Sequence, residues 1–156
     1  MPQAASHFEA PSPLERLVSR IFGVLVGLGI GLPHNYLLQV RGRRSGRLYA
    51  TPVDVLTYAD TRFVVAGRGT TQWVRNARAS GQVVLRKGFR REELRVRELP
   101  DAEKPAVLKA YLDRFKLTVQ RYFPVRAGSP ISDFVALADR YPVFELIPAA
   151  RPSQGI

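Results

Sequence analysis

Alternation of apolar and polar residues predicts a series of short β-strands through the middle of the chain. The predicted strands are residues 36–41, 49–57, 62–66, 82–86 and 89–98. In the last of these, Leu94 and Val96 alternate with Arg95 and Arg97, which is typical of a strand with one buried and one solvated face. Another apolar run, residues 143–147, predicts a closing strand.

Three other segments favour helices. Apolar side chains recur at helical spacing after Asp101, and a second helix is predicted from Ser129-Pro130. The apolar positions are Val107, Leu108, Tyr111, Leu112, Phe115 and Val119 in the first helix, and Ile131, Phe134, Val135 and Ala138 on one face of the second. A short helix is expected after Thr70 or Thr71, either of which can cap it.

These elements predict a mainly β, α+β fold: a split or closed barrel of about six antiparallel strands with three or four peripheral helices. The order of elements shows no strand–helix–strand alternation, and neither a GxGxxG nor a Walker motif is present, which argues against a Rossmann or P-loop fold. With 156 residues the chain suits one domain. We expect a flexible segment at 1–11, a single domain at 12–150 and a flexible tail at 151–156.

The N-terminal region predicts one more helix. Ser12 to Glu15 has the pattern of a capping box, and an uncharged run of 12 residues with four glycines follows at 21–32. This run is shorter than the roughly 20 apolar residues that a membrane-spanning helix needs. We expect the helix to pack on the core; contact with a membrane surface through it, Arg16 and Arg20 is the alternative.

Composition narrows the chemistry. The chain has no cysteine, which excludes disulfides, thiolate metal sites and a cysteine nucleophile, and its two histidines, His7 and His34, leave little material for a histidine metal site or a catalytic triad. With 24 Lys and Arg against 13 Asp and Glu, the net charge is +11. This charge favours an anionic partner: nucleic acid, an acidic membrane surface, or a phosphorylated or carboxylated small molecule.

Four of the arginines fall within residues 41–47, around the sequence Gly42-Arg43-Arg44-Ser45-Gly46. The two glycines predict a hairpin turn with positive φ allowed at both ends. Guanidinium groups crowded on one turn repel each other until solvent or a bound anion relieves the charge, and Arg forks suit phosphate and carboxylate oxygens. A solvated hairpin turn and an anion site are both open on these grounds. Pro52, in the next strand, predicts a sheet edge or a bulge.

The stretch 36–76 resembles the deazaflavin-dependent nitroreductase family, whose members are split-barrel enzymes that bind coenzyme F420. Four elements stand in the order of that family: Gly42-Arg43-Arg44-Ser45-Gly46, Thr51-Pro52-Val53, Val65-Ala66-Gly67 and Trp73-Val74-Arg75-Asn76. The ending Tyr141-Pro142-Val143-Phe144 is similar as well.

The resemblance implies coenzyme F420 as the cofactor, with FMN as the less favoured alternative. It implies Arg43, Arg44 and Ser45 at the phosphate, Thr51, Pro52 and Val53 along the ring, Ala66, Gly67 and Arg68 at the pyrimidine edge, and Gln72, Trp73, Arg75 and Asn76 on the other side. Tyr49, which stands where many relatives have an arginine, is part of the same predicted site. From charge alone, Arg41 and Arg47 are expected to reach the glutamate tail. Phe134 is expected in the substrate pocket.

The function implied is reduction of a quinone-like or nitroaromatic acceptor by hydride from reduced F420, with no catalytic residue and no metal. A cofactor- or fatty-acid-binding protein of the same fold without turnover is the alternative. Nucleic-acid binding is not expected, because aromatic residues do not interleave with the basic clusters. We further expect a small-molecule acceptor as partner, a monomer or homodimer, and a cytoplasmic location with association with the inner face of the membrane as an option.

Overall fold

The computed structural model describes residues 33–149 together with Arg16 and Arg20. Six antiparallel strands form a closed barrel in the order β1-β2-β3-β6-β5-β4, which confirms the predicted mainly β barrel. The strands are β1 (Asn35–Arg41), β2 (Leu48–Tyr58), β3 (Thr61–Val65), β4 (Gln82–Lys87), β5 (Arg90–Glu98) and β6 (Val143–Pro148). Of the predicted N-terminal helix only Arg16 and Arg20 are described, both helical and exposed. The rest of that helix and both predicted flexible ends lie outside the described residues.

Helix α1 (Gln72–Ser80) connects β3 to β4 and ends at Gly81, whose φ of 69° is the left-handed conformation that glycine adopts without strain. Helix α2 (Lys104–Val119) follows β5 and carries Pro105 in its first turn, where the missing N–H costs little. The short helix α3 (Ser132–Val135) precedes β6. In the described part of the chain, no helix has the length and apolar character needed to cross a bilayer.

The barrel strands contribute side chains to two apolar clusters, one on each side of the barrel wall. One cluster joins inward-facing strand residues to α1 and includes Leu38, Val55, Val64, Val74 and Phe144. The other packs α2 and α3 on the outside of the wall and includes Leu56, Phe63, Leu108, Leu112 and Phe134. The consecutive residues Val55 and Leu56 belong to different clusters because side chains alternate across a strand.

The segment before β6 differs from the prediction. A helix that buries Ile131, Phe134, Val135 and Ala138 on one face was expected, but Ile131 and Val135 are 48% and 62% exposed. Backbone bonds here join residues three apart, from Phe134 N–H to the Ile131 carbonyl and from Leu137 N–H to the Phe134 carbonyl. With about three residues per turn instead of 3.6, Phe134 and Leu137 share the buried side.

Pro52 occupies a sheet edge, as its missing N–H predicts. Strand β2 pairs with β1 from Leu48 to Asp54, whereas its pairing with β3 begins only at Val55. The first half of β2 therefore has β1 as its one neighbouring strand in the described barrel. No second strand pairs with β2 at Pro52, so the missing N–H of this proline costs no hydrogen bond there.

An ion pair between Arg62 on β3 and Glu92 on β5 makes stability depend on pH. Arg62 Nη2 and Nη1 donate to the two carboxylate oxygens of Glu92 at 2.6 and 2.9 Å, and these bonds lower the pKa of Glu92. A carboxyl with a lowered folded-state pKa stabilises the fold above its unfolded pKa, and the effect is lost as pH falls through the folded-state pKa. We expect Glu92→Gln to lower the free energy of unfolding by at most about 1 kcal/mol near neutrality.

Denaturant titrations at neutral pH and at about pH 3, below the ordinary glutamate pKa, measure this difference. We expect it to be smaller at the acidic pH, because part of it is lost as pH falls towards the lowered pKa of Glu92. The control is Glu93→Gln, because Glu93 is exposed and its contact with Arg91 is long, at 3.6 Å. A loss of equal size at both pH values contradicts the account.

Candidate functional site

The basic turn between β1 and β2 is attached to helix α1 by Arg43. Its backbone N–H and its Nη1 both donate to Asn76 Oδ1, at 3.1 and 2.9 Å, and Nη1 also donates to Gln72 Oε1 at 3.0 Å. Asn76 is 5% exposed, so the residue that accepts two of these bonds is fixed in the core. We call the bonds from Arg43 to Asn76 and Gln72 the Arg43 clamp. The turn therefore lies against the helix that carries the single tryptophan, Trp73.

The two glycines of the turn have different reasons to be glycine. Gly46 has a φ of 70°, and its N–H donates to the Gly42 carbonyl at 3.0 Å. The prediction allowed positive φ at Gly42 as well, but Gly42 does not adopt it. Gly42 instead needs its missing side chain, because a Cβ there would lie 2.6 Å from Tyr49 Cε2 and 2.8 Å from Ser45 Oγ.

Positive charge collects around this turn without neighbouring carboxylates. The side chains of Arg44, Arg47 and Arg75 are exposed and make no hydrogen bond or ion pair with any described residue. By contrast, Arg78 on α1 and Arg97 on β5 form ion pairs with glutamates. The unneutralised charge favours binding of an anion at this face.

Thr71, at the start of α1, carries a buried hydroxyl that finds no partner among the described residues. Its backbone is extended, as at a helix N-cap, yet its side chain does not cap the helix. The first-turn N–H groups of a helix also lack intrahelical acceptors. A phosphate or ring oxygen at this end of α1 would satisfy such donors, and the arginines beside them suit an anionic cofactor, so the residues present fit coenzyme F420.

The predicted ring-contact segment runs along the free edge of β2. Tyr49 is 49% exposed, and its hydroxyl lies 3.5 Å from Ser45 Oγ. Thr51, Pro52 and Val53 are half-buried. Trp73, also half-buried, packs on the interior cluster with its ring centroid 5.7 Å from that of Phe144. These side chains retain surface that a planar ligand can cover.

A buried carboxyl, Asp54, directly follows that segment. It accepts a hydrogen bond from the Asn35 amide and lies 3.5 Å from His34 Nε2. Burial raises the pKa of Asp54, while the neighbouring His34 and Asn35 oppose that shift. Because His34 and Asn35 already interact with its carboxylate, Asp54 has its polar partners within the barrel wall that α2 covers.

Tyr122 is a site residue that the sequence patterns did not reveal. A Cβ on Gly67 would lie 3.1 Å from Tyr122 Cδ2, and Arg68 Nη2 donates to the Tyr122 hydroxyl at 3.3 Å. The tyrosine lies 54 residues beyond Arg68, in a short 3₁₀ turn (Gln120–Tyr122) after α2. Its proximity depends on how α2 packs, which local periodicity does not encode.

Besides the buried Asn76, two further predicted residues have little surface to offer a ligand. Ala66 is 2% exposed, its N–H donates to the Pro142 carbonyl at 2.8 Å, and its own carbonyl accepts from Gly69. Phe134 is fully buried, with its ring centroid 6.4 Å from that of Phe123. Their roles at the ring and the substrate pocket stay predictions.

An open groove of about 630 Å³ is lined by residues on both sides of Tyr122 in the sequence, but not by Tyr122 itself. Its lining consists of Lys116, Gln120, Arg121, Phe123, Pro124, Val125, Arg126 and Ala127. None of the predicted cofactor residues lines it. The predicted cofactor site on the basic turn and α1 is therefore separate from this groove.

We expect loss of the Arg43 clamp to lower the free energy of unfolding. Asn76→Ala removes the acceptor of two hydrogen bonds at a buried position, and we expect the free energy of unfolding to fall by about 1–3 kcal/mol. Gln72→Ala is the control, because it removes one exposed bond to the same guanidinium. Denaturant unfolding of both variants measures the difference. Equal losses of unfolding free energy in the two variants would contradict the view that Asn76 is the main acceptor of the Arg43 clamp.

Comparison with solved structures shows the same fold at low sequence identity. A protein described as a domain-swapped dimer is 18% identical, with a TM-score of 0.52 over 86% of this chain and 99% of that one. The F420-H2 dependent reductase FDR-A is also 18% identical, with a TM-score of 0.51 over 73% and 94%. HutZ, the haem storage protein from Vibrio cholerae, is 14% identical, with a TM-score of 0.52 over 90% and 93%.

Comparison of the sequence with family models gives one match that covers most of the chain. The model described as F420H(2)-dependent quinone reductase matches residues 15–126. This range includes the basic turn, the β3–α1 loop, helix α1 and Tyr122. No curated protein matches the chain.

Proposed function

The chain belongs to the F420H(2)-dependent quinone reductase family, and on that premise we propose that its basic turn and helix α1 hold the acidic arm of coenzyme F420. The protein is an F420H2-dependent reductase with coenzyme F420 as its cofactor. We propose that the reaction is hydride transfer from the reduced cofactor to a quinone-like or nitroaromatic acceptor.

The phosphate is assigned to Arg44, Ser45 and the free N–H groups of Arg43. Arg43 uses Nη1 on Asn76 and Gln72, which leaves Nε and Nη2 to donate to a ligand and holds the guanidinium in place beforehand. A donor whose position is already fixed loses less entropy on binding. Arg47 and Arg41 are assigned to the glutamate tail; Arg41 is partly engaged, since its Nη1 donates to the Gly46 carbonyl at 3.1 Å.

The ring is assigned to the space between the free edge of β2 and the N-terminus of α1. Thr51, Pro52 and Val53 lie along one side, and Gln72, Trp73, Arg75 and Asn76 belong to the other. Gly67 permits close approach of a planar group, and Arg68 favours negative charge at the pyrimidine edge. When bound in its reduced form, the cofactor supplies a hydride from C5 of its ring, so the protein has to supply position and electrostatics.

The attachment of the turn to α1 through Arg43 is the observation that supports this assignment most strongly. A turn that served only solubility would need no fixed contact with the helix that carries Trp73. The unpartnered Thr71 hydroxyl and the unneutralised Arg44 lie on the two elements that Arg43 joins. Donors of the type that an anionic cofactor requires are therefore present on both elements, which supports the assignment.

Titration with F420, followed by turnover of reduced F420 with menadione, tests the function. We expect F420 to bind at micromolar concentration and its absorbance to return as menadione is reduced. Binding without turnover across a panel of quinones and nitroaromatic compounds would assign the chain to the non-catalytic alternative. Absence of binding would contradict the assignment of the site.

Three finer properties stay predictions: a monomeric or homodimeric state, a cytoplasmic location, and contact with the inner face of the membrane. Leu117 on α2 is 94% exposed and lies beside Lys116, which is the combination that suits an anionic bilayer surface. Co-sedimentation with vesicles containing anionic lipid, compared with neutral vesicles, measures this contact, with Leu117→Ser as the variant.

A further inference from the structure

Two arginine side chains converge on one phenol oxygen at the edge of the candidate site. Arg121 Nη2 donates to the Tyr122 hydroxyl at 2.7 Å, and Arg68 donates to the same oxygen from Nε at 3.4 Å and from Nη2 at 3.3 Å. The guanidinium carbons also lie 4.8 and 5.7 Å from the centroid of the Tyr122 ring. Two positive charges therefore approach the same neutral group.

No carboxylate of the described residues neutralises this pair of arginines. Among the described residues, neither Arg68 nor Arg121 forms an ion pair, whereas Arg97 binds both Glu103 and Glu145. Like charges held close together repel, and the repulsion is relieved when an anion lies between them. The arrangement is therefore more favourable with an anionic group bound than without one.

The hydroxyl of Tyr122 is left with a proton to donate. Its oxygen accepts hydrogen bonds from the two guanidinium groups, so its lone pairs are occupied while its own hydrogen has no acceptor among the described residues. The residue is held in place on two sides, by the Tyr141 hydroxyl bonded to its backbone carbonyl and by the surface of Gly67. A fixed phenol polarised by cations is a strong hydrogen-bond donor to an anionic oxygen.

Space for a planar molecule borders one of these donors, Arg121, whereas Arg68 and Tyr122 do not line it. Arg121 also lines the open groove of about 630 Å³, whose wall includes the apolar residues Phe123, Pro124 and Val125. Its volume falls within the range of about 300–1,000 Å³ that is common for small-molecule sites. Lys116 and Arg126 add further positive charge to the same lining.

We propose that Arg68, Arg121 and Tyr122 bind an anionic oxygen of the electron acceptor, so that the protein prefers planar aromatic acceptors bearing a carboxylate or an ionised hydroxyl. The proposal rests on the proposed function, because it assigns the acceptor of that reaction. It adds Arg121 and Tyr122 as specificity-determining residues, with Arg68 shared between the ring edge and the acceptor.

Calorimetric titration with 2-naphthoate and its neutral isostere 2-naphthamide tests the proposal without turnover. Measured on the protein with F420 bound, we expect the carboxylate to bind about tenfold to a hundredfold more tightly than the amide, as charge-assisted hydrogen bonds allow. Arg121→Gln is expected to abolish most of that preference. Arg95→Gln, which removes the same charge from an exposed position on β5, should leave it unchanged.

The results distinguish failure of the proposed anion site from failure of the proposed F420-dependent function. The affinity for F420, measured in the same variants, is expected to change by less than twofold in Arg121→Gln. Equal affinity for the carboxylate and the amide, or equal loss in the Arg121 and Arg95 variants, would overturn the anion site while leaving F420 binding intact. A loss of F420 affinity in Arg121→Gln with no change in naphthoate preference would overturn it too, because Arg121 would then serve the cofactor. Absent F420 binding in the unmodified protein would refute the proposed function itself.

Discussion

Replacement of Arg43 and Arg44 together by alanine is expected to weaken F420 binding by about a hundredfold or more. Each charge-assisted hydrogen bond contributes about 1.5–3 kcal/mol, so loss of two guanidinium groups costs about 3 kcal/mol at least. The loss at Arg43 has a second cause, since that side chain also fixes the turn on α1 through Asn76 and Gln72. Fluorescence or absorbance titration with F420 measures the dissociation constant.

The other basic hairpin supplies the matched control. Arg90→Ala combined with Arg91→Ala removes the same net charge at the start of β5, where both side chains are exposed. We expect this control to shift the dissociation constant by less than threefold, through long-range electrostatics alone. Similar losses in the two double variants would show that net charge, and not the turn, attracts the cofactor.

Phe134→Ala is expected to produce the largest loss of stability. Phe134 is fully buried in the outer cluster, and truncation of such a side chain costs about 3–5 kcal/mol because a cavity remains. For a domain of this size the melting temperature should fall by about 6–20 °C. Thermal unfolding followed by circular dichroism measures the change. Phe89→Ala is the control, because Phe89 is fully exposed and its truncation should have almost no effect.

Phe134→Leu distinguishes packing from a role in the substrate pocket. Leucine keeps most of the apolar contact, so we expect a loss of stability clearly smaller than that of Phe134→Ala. If Phe134 acts only in the core, the KM for menadione stays unchanged in this variant. A raised KM with unchanged stability would instead support the pocket role that the family resemblance implies.

The strands could be predicted from sequence because their signals are local. Alternation on β5 at Leu94 and Val96 gives one buried and one half-buried position, as period-two patterning requires. The free edge at Pro52 follows from the chemistry of a single residue that has no N–H to donate. The sequence left a split and a closed barrel as alternatives, and the pairing of β1 with β4 closes the barrel.

Contacts between distant segments could not be predicted in the same way. Arg43 reaches Asn76 across 33 residues and Arg68 reaches Tyr122 across 54, and neither pairing leaves a periodic signal. The segment around Phe134 was predicted as an α-helix because apolar residues three and four positions apart are compatible with an α-helix as well as with a 3₁₀-helix. The choice between them was made by tertiary packing, which put Leu137 instead of Val135 in the core.

A crystal structure of the complex with F420 tests the central claim most directly. We expect the cofactor phosphate within hydrogen-bond distance of Arg44 and of Ser45, with the ring between the free edge of β2 and Trp73. A phosphate held instead by Lys116 and Arg126 in the open groove, with the basic turn exposed to solvent, would contradict it.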